Sequence, residues 1–316
     1  MTIDDAYCLY YDTLKLLSKT KYGYLIPPID IVMRNLKSFA KDIVYFSEDD
    51  PVIKKFQLGP NSKGLRNDEN RMIYVRDTLT QPLRDITLFH ELHHAAQSDP
   101  YRPLNCGLWL GKAQYGRLMM EGQTQYFAEE ILFNPLHNIT SIRRYTPGPN
   151  LRMEEGQSVY SSLHNYEHYD AILSKLAIVL DMPKVFFVCI NYNPGYGLIA
   201  LEDKYKEARR RYDLPFTFAE VMYYLDYFYT VDILQYSDNE VRDIIASGNE
   251  TSNKIEIHPD KYEKISRARQ TQQIKTLDTT IFDHLLHVDK EAAAKFKDYI
   301  FDDEVRQAAE TTLSSN

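Results

Sequence analysis

Three histidines and a glutamate fall within five consecutive positions, His90-Glu91-Leu92-His93-His94. Read as His-Glu-x-x-His, the pattern puts His90 and His94 one helical turn apart on one face of a helix, with Glu91 beside them. Two imidazoles at this spacing bind zinc, and a neighbouring carboxylate can take a proton from the metal-bound water. The segment therefore predicts half of a hydrolytic zinc site.

A hydrolytic zinc site needs a third protein ligand and an open position for water. A continuation of the form His-x-x-Gly-x-x-His from His94 would need glycine at position 97 and histidine at position 100. The chain has Gln97 and Pro100 there, so this route to a third ligand is excluded. A variant that uses aspartate at position 100 also fails, since Asp99 is one residue short. The remaining route is a glutamate on a later helix. Glu121 fits it, because the 27 residues from His94 (121 − 94) allow a helix end, a loop and a return.

The elements around these residues are mostly helical. Thr80 to Pro100 reads as a capped helix, with Thr80 at the N-cap and Pro82 in the first turn, and Arg117 to Phe133 reads as the helix that carries Glu121. Short strands are predicted at 43–46 and 71–76, with loops at 48–70 and 101–116. Periodicity predicts further helices at 3–19, 29–40, 159–181, 198–212, 217–236, 239–246 and near 279–301.

The pairing of HELHH with MEGQTQYFAEE resembles the gluzincin branch of the zincin metallopeptidases, whose third ligand is a glutamate on the helix after the active-site helix. The Glu-Gly-x-Thr-x-Tyr form starting at Glu121 also resembles certain bacterial zincin-like proteins. The resemblance covers roughly residues 70 to 185. We therefore expect an α+β, predominantly α fold: a zincin-like core with a short edge sheet and additional helices. A metallopeptidase domain is predicted over 1–195 and a helical C-terminal region over 196–316.

This resemblance implies roles for individual residues. His90, His94 and Glu121 would bind Zn²⁺, which lowers the pKa of its water to about 7. Glu91 would be the general base, taking a proton from that water and passing it to the leaving amine of a peptide or protein substrate. The predicted function is thus zinc-dependent peptide-bond hydrolysis.

Other side chains have supporting roles in this prediction. The oxyanion of the reaction needs a donor, for which His164, Tyr160 and His168 are the candidates, in that order. The best-known gluzincins carry a carboxylate four residues after the glutamate ligand, and this carboxylate orients a zinc-bound histidine. This chain has Gln125 at that position, so Glu129 or a backbone carbonyl is expected to orient the histidines instead. His93 is interpreted as a packing residue rather than a ligand.

Charge and cysteine content limit the binding partners and the cellular location that the sequence predicts. A net charge of -8 and a pI near 5.6 argue against nucleic-acid binding, and the short basic run Arg209 to Arg211 is interpreted as a solvated helix face. No stretch of roughly twenty apolar residues is present to span a membrane. Three dispersed cysteines and an acidic N-terminus favour a cytoplasmic location, with export without a cleavable signal peptide as the alternative. The oligomeric state is not predicted.

Two other functions remain open at this point. The chain could be a catalytically degenerate zincin-like protein that binds zinc structurally and acts through protein interactions. It could also be a helical interaction protein in which the histidine motif arose by chance.

Overall fold

The computed structural model describes residues 1–47, 49–56, 58, 62–99, 102–110, 116–128 and 179–222, with isolated positions at 173, 176, 177, 239, 242, 243, 246 and 268. Most of these residues are helical and the strands are short, so the fold is α+β and predominantly α, as predicted. The elements in chain order are α1 Ile3–Leu17, α2 Ile29–Phe39, β1 Asp42–Phe46, α3 Pro51–Lys55, β2 Gly64–Asn67, β3 Met72–Arg76, α4 Gln81–Gln97, β4 Ser98–Asp99, β5 Arg102–Cys106, β6 Trp109–Leu110, α5 Arg117–Tyr126, α6 Lys184–Asn191 and α7 Pro194–Tyr212.

The two N-terminal helices pack behind the histidine helix. Helix α1 starts with a capping box, in which the Thr2 hydroxyl accepts from the Asp5 amide and the Asp5 carboxylate accepts from the Thr2 amide, each at 3.2 Å. Helix α2 follows Pro28 and packs along α4. Their buried apolar residues belong to the same core as those of α4: Leu9, Leu14, Leu17, Val32, Leu36 and Phe39.

A three-stranded mixed sheet leads into α4. Strand β3 lies in the centre, parallel to β1 and antiparallel to β2, with Gly64 opposite Val75 and Asn67 opposite Met72. It is buried from Ile73 to its end, as expected for a strand paired on both sides. Among the described residues, β2 is therefore an edge strand.

A second small sheet forms where α4 ends. The chain passes from Gln97 directly into β4, which pairs with β5 through Ser98 and Cys106, and β6 completes the sheet. Gly107 makes the turn with φ +55°, and a Cβ on it would lie 2.5 Å from Asn191 Oδ1. The next amide, that of Leu108, donates to the same oxygen at 3.0 Å. The turn after β5 is thus fixed between the end of α4 and helix α6.

Several predicted elements are confirmed and others are wrong. The helices and strands predicted at 3–19, 29–40, 43–46, 71–76, 80–100 and 198–212 are present with small changes of boundary. The loops predicted at 48–70 and 101–116 instead contain α3, β2, β5 and β6, and α6 was not predicted at all. Strand β2, with the sequence GLRN, has no β-branched residue, so only its partner β3 makes it a strand.

Other predictions concern residues that the structure describes only in part. The described positions of the helices predicted at 159–181, 217–236 and 239–246 are helical except for the terminal residues 181 and 217, whereas the helix near 279–301 lies outside the described residues. The division at residue 195 stays a prediction. The predicted solvated face is confirmed, because Arg209 to Arg211 are exposed in the last turn of α7. Within the described residues, no helix is both long and apolar enough to cross a membrane.

Candidate metal centre

Helix α4 is fixed by its apolar face and by contacts at its start. Leu88, Leu92 and Ala95 are buried at helical spacing, as predicted. Thr80 occupies the N-cap position but makes no side-chain capping bond. The Arg84 guanidinium instead donates to the carbonyl oxygens of Asp77 and Leu79, at 2.8 and 3.0 Å. The residues that turn the apolar face inwards also place the two histidines together on the adjacent face.

His90, His94 and Glu121 converge on one point. The Nε2 atoms of His90 and His94 lie 3.0 Å apart, and Glu121 Oε2 lies 3.3 Å from the first and 3.4 Å from the second. All three side chains are buried, and their donor atoms form a near-equilateral triangle. Ligand atoms of a tetrahedral zinc site, with bonds of about 2.0–2.1 Å, lie about 3.3 Å from one another. The triangle therefore has the dimensions of one face of such a tetrahedron.

The chemistry of the triangle also fits a cation. Among the described residues, the buried Glu121 Oε2 atom has no hydrogen-bond partner, although both imidazoles approach it. Burying a carboxylate oxygen is costly, and a bound cation would offset that cost, as the proton on His94 does in the metal-free protein. Two imidazole nitrogens and one carboxylate oxygen are a donor set that suits zinc and leaves a fourth position open. These three residues can hold a metal ion.

The charges of the metal-free site follow from the same contacts. Burial alone would lower the pKa of His94, but the Glu121 carboxylate and a hydrogen bond to Cys106 raise it to about 10. Burial alone would raise the pKa of Glu121, but the positive charge of His94 lowers it well below its ordinary value. Without metal, His94 and Glu121 thus form a buried imidazolium–carboxylate pair at neutral pH. A metal ion would displace the proton of this pair.

The outward nitrogens of both imidazoles also have partners. His90 Nδ1 lies 3.0 Å from Gln125 Oε1, and His94 Nδ1 lies 3.7 Å from the Cys106 sulfur. Gln125 is thus a partner of His90, because it lies one helical turn after Glu121 on α5, and the predicted roles of Glu129 and of a backbone carbonyl in orienting these histidines stay predictions. Cys106 reaches His94 through the pairing of β4 with β5, which no local sequence signal predicts.

Glu91 lies on the open side of the helix. From residue 85 to residue 98 every side chain is buried except that of Glu91, which is half-buried. Strand β2 runs beside it: a Cβ on Gly64 would lie 3.3 Å from Glu91 Cγ and 2.5 Å from Thr87 Cγ2. One turn further along the helix, Arg66 of β2 donates to the His94 carbonyl oxygen at 2.8 Å. The edge strand is thus held directly against the part of α4 that carries the motif.

His93 points into the core and has the predicted packing role. Burial lowers its pKa well below the ordinary value, so the ring is neutral. The Tyr10 hydroxyl lies 2.7 Å from Nδ1, Gln123 Oε1 lies 2.8 Å from Nε2, and the Phe127 ring stacks on the imidazole at 3.9 Å. The Gln97 amide nitrogen also lies 2.8 Å from Nε2, so both ring nitrogens have hydrogen-bonding partners. His93 thereby joins helices α1, α4 and α5 underneath the metal centre.

The remaining candidates have different outcomes. His164, Tyr160, His168 and Glu129 lie outside the described residues, so their predicted roles stay predictions. Sequence reasoning missed the contributions of Gly64, Arg66, Cys106 and Gln125. Of these four residues, only Gln125 had a signal in the sequence, namely the spacing that places it one helical turn after Glu121.

Comparison with known proteins finds no matching family model, no matching curated protein and no matching solved structure. What this site can do is therefore inferred from its own residues.

Proposed function

We propose that this protein is a zinc-dependent metallopeptidase with a zincin-like core of gluzincin type. The observation that carries the proposal is the triangle of His90 Nε2, His94 Nε2 and Glu121 Oε2, with edges of 3.0 to 3.4 Å, next to the half-buried Glu91. Zinc, when bound, supplies a Lewis acid that brings the pKa of a coordinated water to about 7. A tetrahedral ion held by these three ligands would keep its fourth position for that water.

Glu91 is the proposed general base. It follows His90 directly on α4 and is the residue of this stretch that solvent reaches. Its carboxylate takes a proton from the attacking water and passes it to the nitrogen of the leaving amine. The water oxygen adds to the carbonyl carbon to give a tetrahedral oxyanion, and the C–N bond then breaks as the nitrogen receives the proton. The products are an amine and a carboxylic acid, which loses its remaining proton to solvent.

Strand β2 is the proposed docking edge for the substrate backbone. An extended peptide can add to an exposed strand through main-chain hydrogen bonds, which supports recognition without a specific side chain. The short distance from Gly64 to Glu91 would place such a peptide close to the catalytic carboxylate. Because Gly64 has no side chain, β2 can lie this close to α4.

His164 and Tyr160 remain the proposed oxyanion donors, with His168 as the third candidate. Each can donate a hydrogen bond to developing negative charge on the carbonyl oxygen. If either residue has this role, His164→Ala or Tyr160→Phe should lower kcat about 100-fold with little change in zinc content. A full kcat in both variants would exclude the two residues as oxyanion donors.

Metal content is the first test. The purified protein should contain one zinc ion per chain, and His90→Ala and Glu121→Ala should lose it or bind it much more weakly. Loss of zinc in His90→Ala would exclude the chance-motif alternative. Unchanged zinc affinity in Glu121→Ala would show that the third ligand is wrong.

Catalysis is tested separately with Glu91→Gln. This variant should keep zinc and lose cleavage of a peptide library by a factor of about 1,000 or more, because it removes the base and leaves the ligands in place. Glu202→Gln on the surface of α7 is the matched control and should cleave normally. Cleavage unaffected in Glu91→Gln would refute the mechanism. A wild-type protein that binds zinc and cleaves nothing would favour the degenerate, zinc-binding alternative.

A further inference from the structure

The two histidines of the metal centre are each held at the nitrogen that points away from Glu121. Binding a metal through Nε2 requires the proton on Nδ1, and a hydrogen-bond acceptor at Nδ1 selects this tautomer. His90 has Gln125 Oε1 at that position and His94 has the Cys106 sulfur. We propose that Gln125 and Cys106 are positioning residues that set the tautomer and ring orientation of these histidines, and thereby the affinity of the centre for zinc. This inference rests on the metal site of the proposed function.

Gln125 is placed for this role by the helix that also supplies the glutamate ligand. It lies four residues after Glu121, so the two side chains share a face of α5. Gln125 is buried, and its amide oxygen can only accept, which leaves the proton on His90 Nδ1. One short helical segment thus provides both a ligand and the group that aligns another ligand.

Cys106 is fixed beside His94 by the hairpin rather than by a helix. It is buried and pairs with Ser98 across β4 and β5, and the following amide, that of Gly107, donates to the Gln97 carbonyl oxygen at 3.0 Å. The thiol donates to the His94 carbonyl oxygen at 3.3 Å while its sulfur accepts from His94 Nδ1. Both contacts go to one residue, so rotating the thiol away from the ring breaks two hydrogen bonds at once.

Both positioning groups are uncharged, and this has a consequence for affinity. A carboxylate at Nδ1 makes an imidazole a stronger metal donor, whereas an amide or a thiol orients the ring without adding negative charge. With Glu121 as the one charged ligand, bound zinc would keep a net positive charge. We therefore expect Gln125→Glu to bind zinc at least as tightly as the wild type, and Gln125→Leu to bind it about 10–100-fold more weakly.

The experiment measures zinc affinity by competition with a chromophoric chelator, and the visible absorption spectrum after loading with cobalt. Cys106→Ala should also bind zinc about 10–100-fold more weakly and change the cobalt spectrum, because the ligand field depends on how the imidazole is aligned. Cys189→Ala removes another buried thiol and should match the wild type in both measurements. Cys106→Ser keeps a polar group, so its loss should be smaller, and it replaces the alanine variant if that one does not fold.

The possible failures are distinguishable. If the wild type binds no zinc, the proposed function itself is wrong. If the wild type binds zinc but Gln125→Leu and Cys106→Ala bind it within twofold and show the wild-type cobalt spectrum, only the positioning roles are refuted. If Cys189→Ala weakens zinc binding as much as Cys106→Ala, loss of a buried thiol in general explains the effect, and the role of Cys106 is refuted.

Discussion

The buried pair of His94 and Glu121 predicts how proton release accompanies metal binding. The pKa of His94 in the metal-free protein is about 10, because the Glu121 carboxylate and the Cys106 contact outweigh the effect of burial. At about pH 8, two units lower, proton competition should weaken the apparent affinity for zinc about 100-fold relative to the deprotonated site. The apparent affinity should therefore keep rising by about tenfold per pH unit towards pH 10.

The perturbation that isolates this effect is Glu121→Gln. Removing the carboxylate leaves burial as the dominant influence, which lowers the pKa of His94, so the imidazole is neutral at about pH 8. The wild type should then release about one proton more per zinc ion than the variant does. A proton lost from metal-bound water would appear in both proteins, and the difference between them removes it.

Calorimetry in buffers of different ionisation enthalpy measures the number of protons released. Zinc is supplied from a weak chelator at a concentration that saturates the variant as well. Equal proton release from the two proteins would mean that His94 is not the proton donor, and would refute the buried ion pair. A zinc affinity that does not change with pH between about 7 and 9 would refute it independently.

Three further predictions concern the elements that hold the site. Gly64→Ala should lower peptide cleavage roughly 10–100-fold while zinc content stays at the wild-type level, because a Cβ there would meet Thr87 at 2.5 Å and push β2 away from α4. The control is Gly195→Ala, whose Cβ meets nothing within 4 Å, and equal cleavage by both variants would contradict the role of β2. Gly107→Ala should lower the free energy of unfolding in urea by about 2 kcal/mol or more, since φ is +55° and Asn191 occupies the space, and an unchanged value would contradict this. His93→Leu should cost about 1–3 kcal/mol in the same measurement, because it removes the hydrogen bonds that join the imidazole to Tyr10 and Gln123 in the core; a cost below about 0.5 kcal/mol would contradict that account.

Local sequence was enough to predict the two halves of the metal centre. A helix brings positions four apart onto one face whatever surrounds it, so the spacing of His90 and His94 already placed their Nε2 atoms together. The same rule puts Gln125 on the face of Glu121, although its contact with His90 was not predicted. The apolar residues of α4, spaced at helical intervals, also predicted which side of the helix enters the core.

Only the tertiary structure decided how these parts meet. Pairing between strands depends on residues far apart in the chain, so nothing in the sequence near Gly64 or Cys106 indicated that β2 lies against Glu91 or that a thiol contacts His94. The packing of α5 against α4 brings Glu121 within 3.4 Å of both imidazoles, a distance that the 27-residue separation permits but does not require. Periodicity specifies a face of a helix, and only the packed core specifies what that face meets.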